Sequence, residues 1–343
     1  MTGAAPDPAL SQRIMSLIFG GIPAKTLYVA AKLGIADELA RGPLSVDELA
    51  ARTNTNAEAL YRILRALAVE EVFEEVEPRT FAVTELGRLI SENAPGSRRY
   101  DSLMLAEHVA PVFEHILESV RTGQPAASLV FGKPYFDWLA EHPEAAETFN
   151  NAMESGATAR LPTFLSLDLW DDVTHVVDVG GGNGTALVAL LTAHPHLHGV
   201  VFDLPHVQGE VEAAIRAAAL ADRCEFVGGS FFESVPEGGD VYVLLQILHD
   251  WNDDDASRIL HSCRKAVGDR GRLVVVEFIL SDEKSTAKWG DVLLLVLLGG
   301  RERNEVEWRR LLSAGGFEVE RITSRAGAAA IEASPSRGRA LRR

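Results

Sequence analysis

Two cysteines in 343 residues, Cys224 and Cys263, exclude a disulfide framework and a cysteine-based metal centre, and neither has a redox spacing. They read as free thiols of a reducing compartment, so the expected location is the cytoplasm. Basic residues are short as well. Against 49 Asp and Glu there are 33 Lys and Arg, a formal charge of −16. That balance excludes a broad face for nucleic acid or anionic lipid, where clustered cations must meet phosphate. Long apolar runs are missing: Val292 to Leu298 falls far short of the roughly 20 residues of a membrane helix. The opening "MTGAAPDPAL" lacks the basic-then-apolar layout of a secretory leader. Low-complexity tracts and internal repeats are also lacking. What the chain does have is 47% hydrophobic residues at a mean hydropathy of +0.04, enough for two buried cores.

Residues 1–100 read as helices closed by a small hairpin. "KTLYVAAKLGIADELA" has helical apolar spacing to near Gly42, Ser45 and Glu48 form a capping box, and "AEALYRILRALAVEEV" makes a third helix. Two extended runs flank the turn at Pro78. The result is winged-helix-like, a shape that often binds DNA, but Glu58, Glu70, Glu71, Glu74 and Glu75 face only Arg62 and Arg65 here. Dimerisation is the expected role. Residues 101–165 read as a helical bridge. Over 166–334, short β runs alternate with helices, which predicts an α/β fold with a doubly wound, Rossmann-like parallel sheet, edged by an antiparallel hairpin from "FEVERIT" and "GAAAIEAS". Residues 335–343 read as a solvated basic tail.

In "VVDVGGGNGT", Asp178 ends a strand and Gly180, Gly182 and Gly184 make the turn into a helix. Open α/β sheets bind ligands at this end of their strands. Thr185 replaces the third glycine of the dinucleotide fingerprint, and an acid before the loop suits a ligand carrying positive charge. Asp203, ending "VVFD", is placed to accept from ribose hydroxyls. S-adenosylmethionine has the ribose, ammonium and sulfonium these residues call for; NAD is the runner-up. Further on, His249 follows the strand "DVYVLLQIL" and Glu277 ends the next one, "RLVVVE". Adjacent strands would bring the two together, and a carboxylate on one imidazole nitrogen raises the basicity of the other. "HPHLH", His194 to His198, has no acid or cysteine in its own stretch, and no metal is expected there.

With "VVDVGGGNGT", "VVFDLP", "ILHDWNDDDASRIL", "VVVEFIL" and "LLGGRERNEVEWRRLLSAGGF", the chain resembles class I S-adenosylmethionine-dependent O-methyltransferases of the plant caffeate and bacterial polyketide-tailoring type. "GIADEL" and "LRALAVEEVF" resemble their dimerisation domain, so the resemblance covers nearly the whole chain and implies a homodimer. It implies His249 as the base that deprotonates a substrate hydroxyl, with Glu277 and Glu302 as its flanking acids. It puts Asp178, Gly180, Gly182, Asp203, Leu204, Ser230 and Phe231 around the cofactor, and Phe149, Met153 and Asp250 near a hydroxylated aromatic or polyketide-like acceptor. The bridge helices and the partner subunit would wall the acceptor pocket, with Val292 to Leu298 as an apolar lid. Three positions depart from the family pattern: Ser230 replaces the acid that usually meets adenine, Leu245 replaces a polar cofactor contact, and Gly290 replaces a larger residue at the pocket. Rival readings are a non-methylating relative (decarboxylase, hydroxylase or cyclase), an N-methyltransferase, and a DNA-binding regulator.

Overall fold

The computed structural model describes residues 7–281, 287–325 and 328–336. Of the basic tail expected at 335–343, Pro335 instead ends a strand paired with Phe317, and residues 337–343 lie outside the described residues. The chain divides into two compact units, residues 1–111 with 144–155, and residues 112–143 with 156–343. The stretch 101–165, expected as one bridge, is shared between them.

In the first unit, Asp7 caps the helix Pro8–Ile18 through the Ala9 amide, and the helix Gly21–Lys32 follows. The long helix expected here breaks at Gly34, whose φ of 65° is left-handed, and one turn resumes at Ile35–Glu38. The capping box forms as read: Ser45 and Glu48 cap each other's backbone at the start of Val46–Thr53. Helix Ala57–Val69 buries Leu60, Leu64 and Leu67, one face at helical spacing. Strands β1 (Leu44–Ser45), β2 (Phe73–Glu77) and β3 (Thr80–Val83) form an antiparallel sheet ordered β1-β3-β2. They close over a core that includes Ile35, Leu49, Leu64 and Phe81. Leu10, Ile14, Leu17, Ile18 and Ile22 remain exposed.

The second unit is built on β4 (His175–Val179), β5 (His198–Asp203), β6 (Cys224–Gly228), β7 (Val241–Leu245), β8 (Arg272–Glu277), β9 (Phe317–Arg325) and β10 (Ala328–Pro335). Their order is β6-β5-β4-β7-β8-β10-β9. The first five are parallel, and the edge hairpin β9–β10 runs antiparallel, as the sequence predicts. Helices cover both faces, so the central strands are continuous apolar runs; Val241, Val243, Val274 and Val276 are fully buried. Each such side chain contributes about 1.5–3 kcal/mol of transfer free energy. Strand order reverses between β4 and β7, and a crevice at such a switch point lies beyond the carboxyl ends of both strands.

Among the described residues no single helix is long and apolar enough to cross a membrane. Val292 to Leu297 belongs to the helix Ala287–Leu297, in which Leu294, Val296 and Leu297 are buried, and Leu298 follows in a turn. Three of the seven residues of the expected lid are thus core packing. Gly290, on the same helix, has open space where a side chain would go.

Candidate active site

The loop after β4 is shaped by its glycines. Gly180, Gly182 and Gly184 have φ of 73°, 55° and 81°, a region that favours glycine. At Gly180 a Cβ would collide with Ile247, and Phe231 lies just beyond; at Gly182 it would meet nothing. Asp203 holds this loop to the end of β5, one carboxylate oxygen accepting from the Gly182 amide (2.7 Å) and the other from the Leu204 amide (2.6 Å). Leu204 is exposed, and Ser230 Oγ accepts from the Phe232 amide at 3.3 Å. Asp178 lies beneath the loop against Gly181, buried, with neither oxygen hydrogen-bonded. Burial, and then the nearby charge of Asp203, push its pKa up to about 7.

Across the switch point, β7 ends at Leu245, opposite Val276 of β8, so Gln246 and Glu277 emerge together. Gln246 is left-handed (φ 58°), which turns the chain out of the sheet. Its Nε2 donates to Glu277 Oε2 at 3.0 Å, while the His249 amide donates to Glu277 Oε1 at 3.3 Å. The one-turn segment Leu248–Asp250 then carries His249 over the buried Glu277. Its Nδ1 is hydrogen-bonded to Glu302 Oε1 at 3.1 Å and lies 3.6 Å from Glu277 Oε2. Its Nε2 lies 3.3 Å from Asp250 Oδ1. Burial disfavours the imidazolium, but Glu277, Asp250 and the hydrogen bond and charge of Glu302 outweigh it and raise the pKa to about 10. Glu277, buried beside those acids, is raised to about 7 despite the imidazole's opposing charge.

A ring nitrogen and two carboxylates within 4.8 Å are also donor types that suit a divalent ion. Here the hydrogen bond to Glu302, with the Gln246 and His249 amide donors on Glu277, already orders the trio. Trp251 packs on aromatic rings, 6.0 Å from Phe136, 5.9 Å from Phe231 and 4.8 Å from Phe232 between centroids. The structure thus brings His249, Glu277, Glu302 and Asp250 together, and separately groups Gly180, Gly182, Asp203, Leu204 and Phe231 around the glycine loop. Phe149 and Met153 belong to the first unit, where Met153 is 40% exposed.

Sequence reasoning missed four residues of this network. Gln246 was hidden in the apolar strand. Asp291 Oδ1 accepts from the Glu302 amide at 2.8 Å. Gly300 lies so close to the His249 turn that a Cβ would run into the His249 carbonyl and the Asp250 backbone. Arg303 is 1% exposed. The Gly299-Gly300 pair was the signal available for a close backbone approach.

Comparison with known proteins identifies the family of the chain. Residues 113–318 match the O-methyltransferase domain model and residues 15–93 the O-methyltransferase dimerisation domain model. The chain is 40% identical to the phenazine O-methyltransferase PhzM of Lysobacter antibioticus, over 97% of this chain and 98% of that protein. It is 34% identical to 8-amino-8-demethylriboflavin N,N-dimethyltransferase of Streptomyces davaonensis, over 92% of each. Among solved structures, the O-methyltransferase NcsB1 of neocarzinostatin biosynthesis, in complex with S-adenosylmethionine and 2-hydroxy-5-methyl naphthoic acid, matches with a TM-score of 0.81 at 30% identity, covering 91% of this chain and 95% of that one.

Proposed function

Because this chain belongs to the O-methyltransferase family, a catalytic domain joined to a dimerisation domain, and is an S-adenosylmethionine-dependent methyltransferase, we propose that it methylates a phenolic hydroxyl of an aromatic small molecule with His249 as general base. When bound, S-adenosylmethionine supplies an electrophilic methyl group on a sulfonium. The residues fit that cofactor: the unpartnered, buried Asp178 favours positive charge above it, Gly182 leaves open room, and Asp203 offers its remaining lone pairs to a ribose. Leu204, Ser230 and Phe231 would border the adenosine.

The observation that carries the reading is the acid cage on one imidazole. A phenol and an ordinary imidazole differ by about 3.5 pKa units, so proton transfer between them runs uphill by about 5 kcal/mol. Raised to about 10, the neutral form of His249 matches a phenol in basicity and takes its proton without that climb, while the imidazolium that prevails near pH 7 must first release its own. Glu302 orients the ring through Nδ1, leaving Nε2 as the accepting atom, and Glu277 stabilises the imidazolium that forms. Asp250, beside Nε2, meets the acceptor. Nitrogen acceptors remain the second reading, favoured by the similarity to the riboflavin N,N-dimethyltransferase. The chain pairs with a second copy through the exposed apolar face of its first two helices.

Incubation with the cofactor and a panel of phenols and anilines tests this, read as a mass gain of one methyl. His249→Ala should lose about 10²–10⁴-fold in kcat on phenols while still binding S-adenosylhomocysteine. Undiminished methylation of phenols by that variant would overturn the base assignment.

A further inference from the structure

The guanidinium of Arg303 is buried behind the His249 turn, and its contacts span that turn on both sides. Nη1 donates to the Leu248 carbonyl at 2.9 Å and to the Arg301 carbonyl at 3.4 Å. Nη2 donates to the Trp251 carbonyl at 2.9 Å, and Nη2 and Nε both donate to Asp253 Oδ1, at 2.7 and 3.0 Å. The cation also lies 5.3 Å from the Trp308 ring centroid. Because Arg303 directly follows Glu302, one planar fork joins the segment that supplies the acid to the turn that supplies the imidazole. One backbone bond completes the seam, the Arg301 amide donating to the His249 carbonyl at 2.8 Å, and the Glu302 amide is held from the helix Ala287–Leu297 by the Asp291 carboxylate.

We propose that Arg303, anchored by Asp253, is a positioning residue that sets the hydrogen bond between His249 Nδ1 and Glu302. It does not touch the reacting atoms. A burial this complete for a cation held by one carboxylate and backbone carbonyls is costly unless every donor is used. Arg303 uses all three nitrogens on the two strands of the seam. Lysine, a point donor on a flexible stem, cannot bridge the Leu248 and Trp251 carbonyls and Asp253 together. Asp253 therefore does more than supply charge to the first turn of the helix Asp253–Val267.

The inference rests on the proposed role of His249, so its test includes a readout that needs no turnover. The imidazole of His249 is titrated by NMR in the wild type, Arg303→Lys, Arg303→Met and Glu302→Gln, alongside calorimetric binding of S-adenosylhomocysteine and steady-state kinetics. Both Arg303 variants should move the ring's titration to lower pH, in the direction of Glu302→Gln. A misplacement of this kind should lower kcat about 30–100-fold with the acceptor KM within about 3-fold, and leave S-adenosylhomocysteine affinity unchanged. If Arg303→Met does not fold, Arg303→Lys carries the test. An unmoved titration in a folded variant overturns the proposal, as does loss of S-adenosylhomocysteine binding in parallel with kcat. A moved titration in Arg303→Lys together with full activity in His249→Ala would sink the base assignment and leave the positioning intact.

Discussion

An imidazole gathered among Glu277, Glu302 and Asp250 holds its proton far more tightly than one in water, and the reaction should carry that mark. The proposed base must be neutral to act, and kcat/KM reports the free enzyme, so activity on a phenol should climb with pH into the alkaline range rather than level off near 7. Glu302→Gln keeps an acceptor on Nδ1 but removes a charge. Its profile should therefore shift toward lower pH while the limiting rate falls about 10-fold or more; a profile superimposable on the wild type would show that Glu302 does not tune the ring. Asp178 makes an independent prediction. Its pKa is raised in the fold, so the native state holds a proton that the unfolded chain releases at lower pH, and stability falls as pH rises from about 4 to about 7. Asp178→Asn removes that loss. In the absence of cofactor it should be more stable than the wild type above pH 7, by up to roughly 4 kcal/mol, with the gain shrinking as pH falls toward 4, as followed by denaturant unfolding. Cofactor affinity should drop in the same variant.

At the scale of elements, the site is a seam between two short segments, 246–253 and 300–303, each set by a local device. Asn252 caps the helix Asp253–Val267 through the Asp255 amide, and Asn304 with Glu307 forms a capping box on Glu305–Ala314. The acidic start of the first helix was legible in "NDDD", and so was the Ser45 capping box, because caps depend on residues three apart. The break at Gly34 was not, since helical spacing continues through it while the backbone turns left-handed. Nor was the fit of Gly300 against the His249 carbonyl, which no local pattern records. Gly300→Ala should destabilise the catalytic unit by about 2 kcal/mol or more and depress methyl transfer, measured by urea unfolding and turnover, since backbone rather than a movable side chain stands in the way. A neutral Gly300→Ala would mean the two segments can part without cost.

For the whole molecule, the exposed Leu10, Ile14, Leu17, Ile18 and Ile22 form the apolar face of two helices, part of which lies in the matched dimerisation domain. Ile14→Asp with Ile18→Asp should convert the proposed homodimer to a monomer in light scattering at micromolar concentration; a dimer that persists would move the interface elsewhere. The sequence by itself determined the alternation of strands and helices, the parallel sheet with its antiparallel edge, the glycine loop, and acids at strand ends, because each is written in neighbouring residues and in the periods of helix and strand. Only the tertiary structure decided that β4 lies beside β7, that Glu302 reaches across 53 residues to His249, and that Arg303 locks the turn from behind. It also decided that Asp178 is sealed beneath its loop without a hydrogen-bond partner. The reason is physical: a buried charge takes its properties from the groups packed around it, and those neighbours are chosen by strand order and chain crossing, not by proximity in sequence.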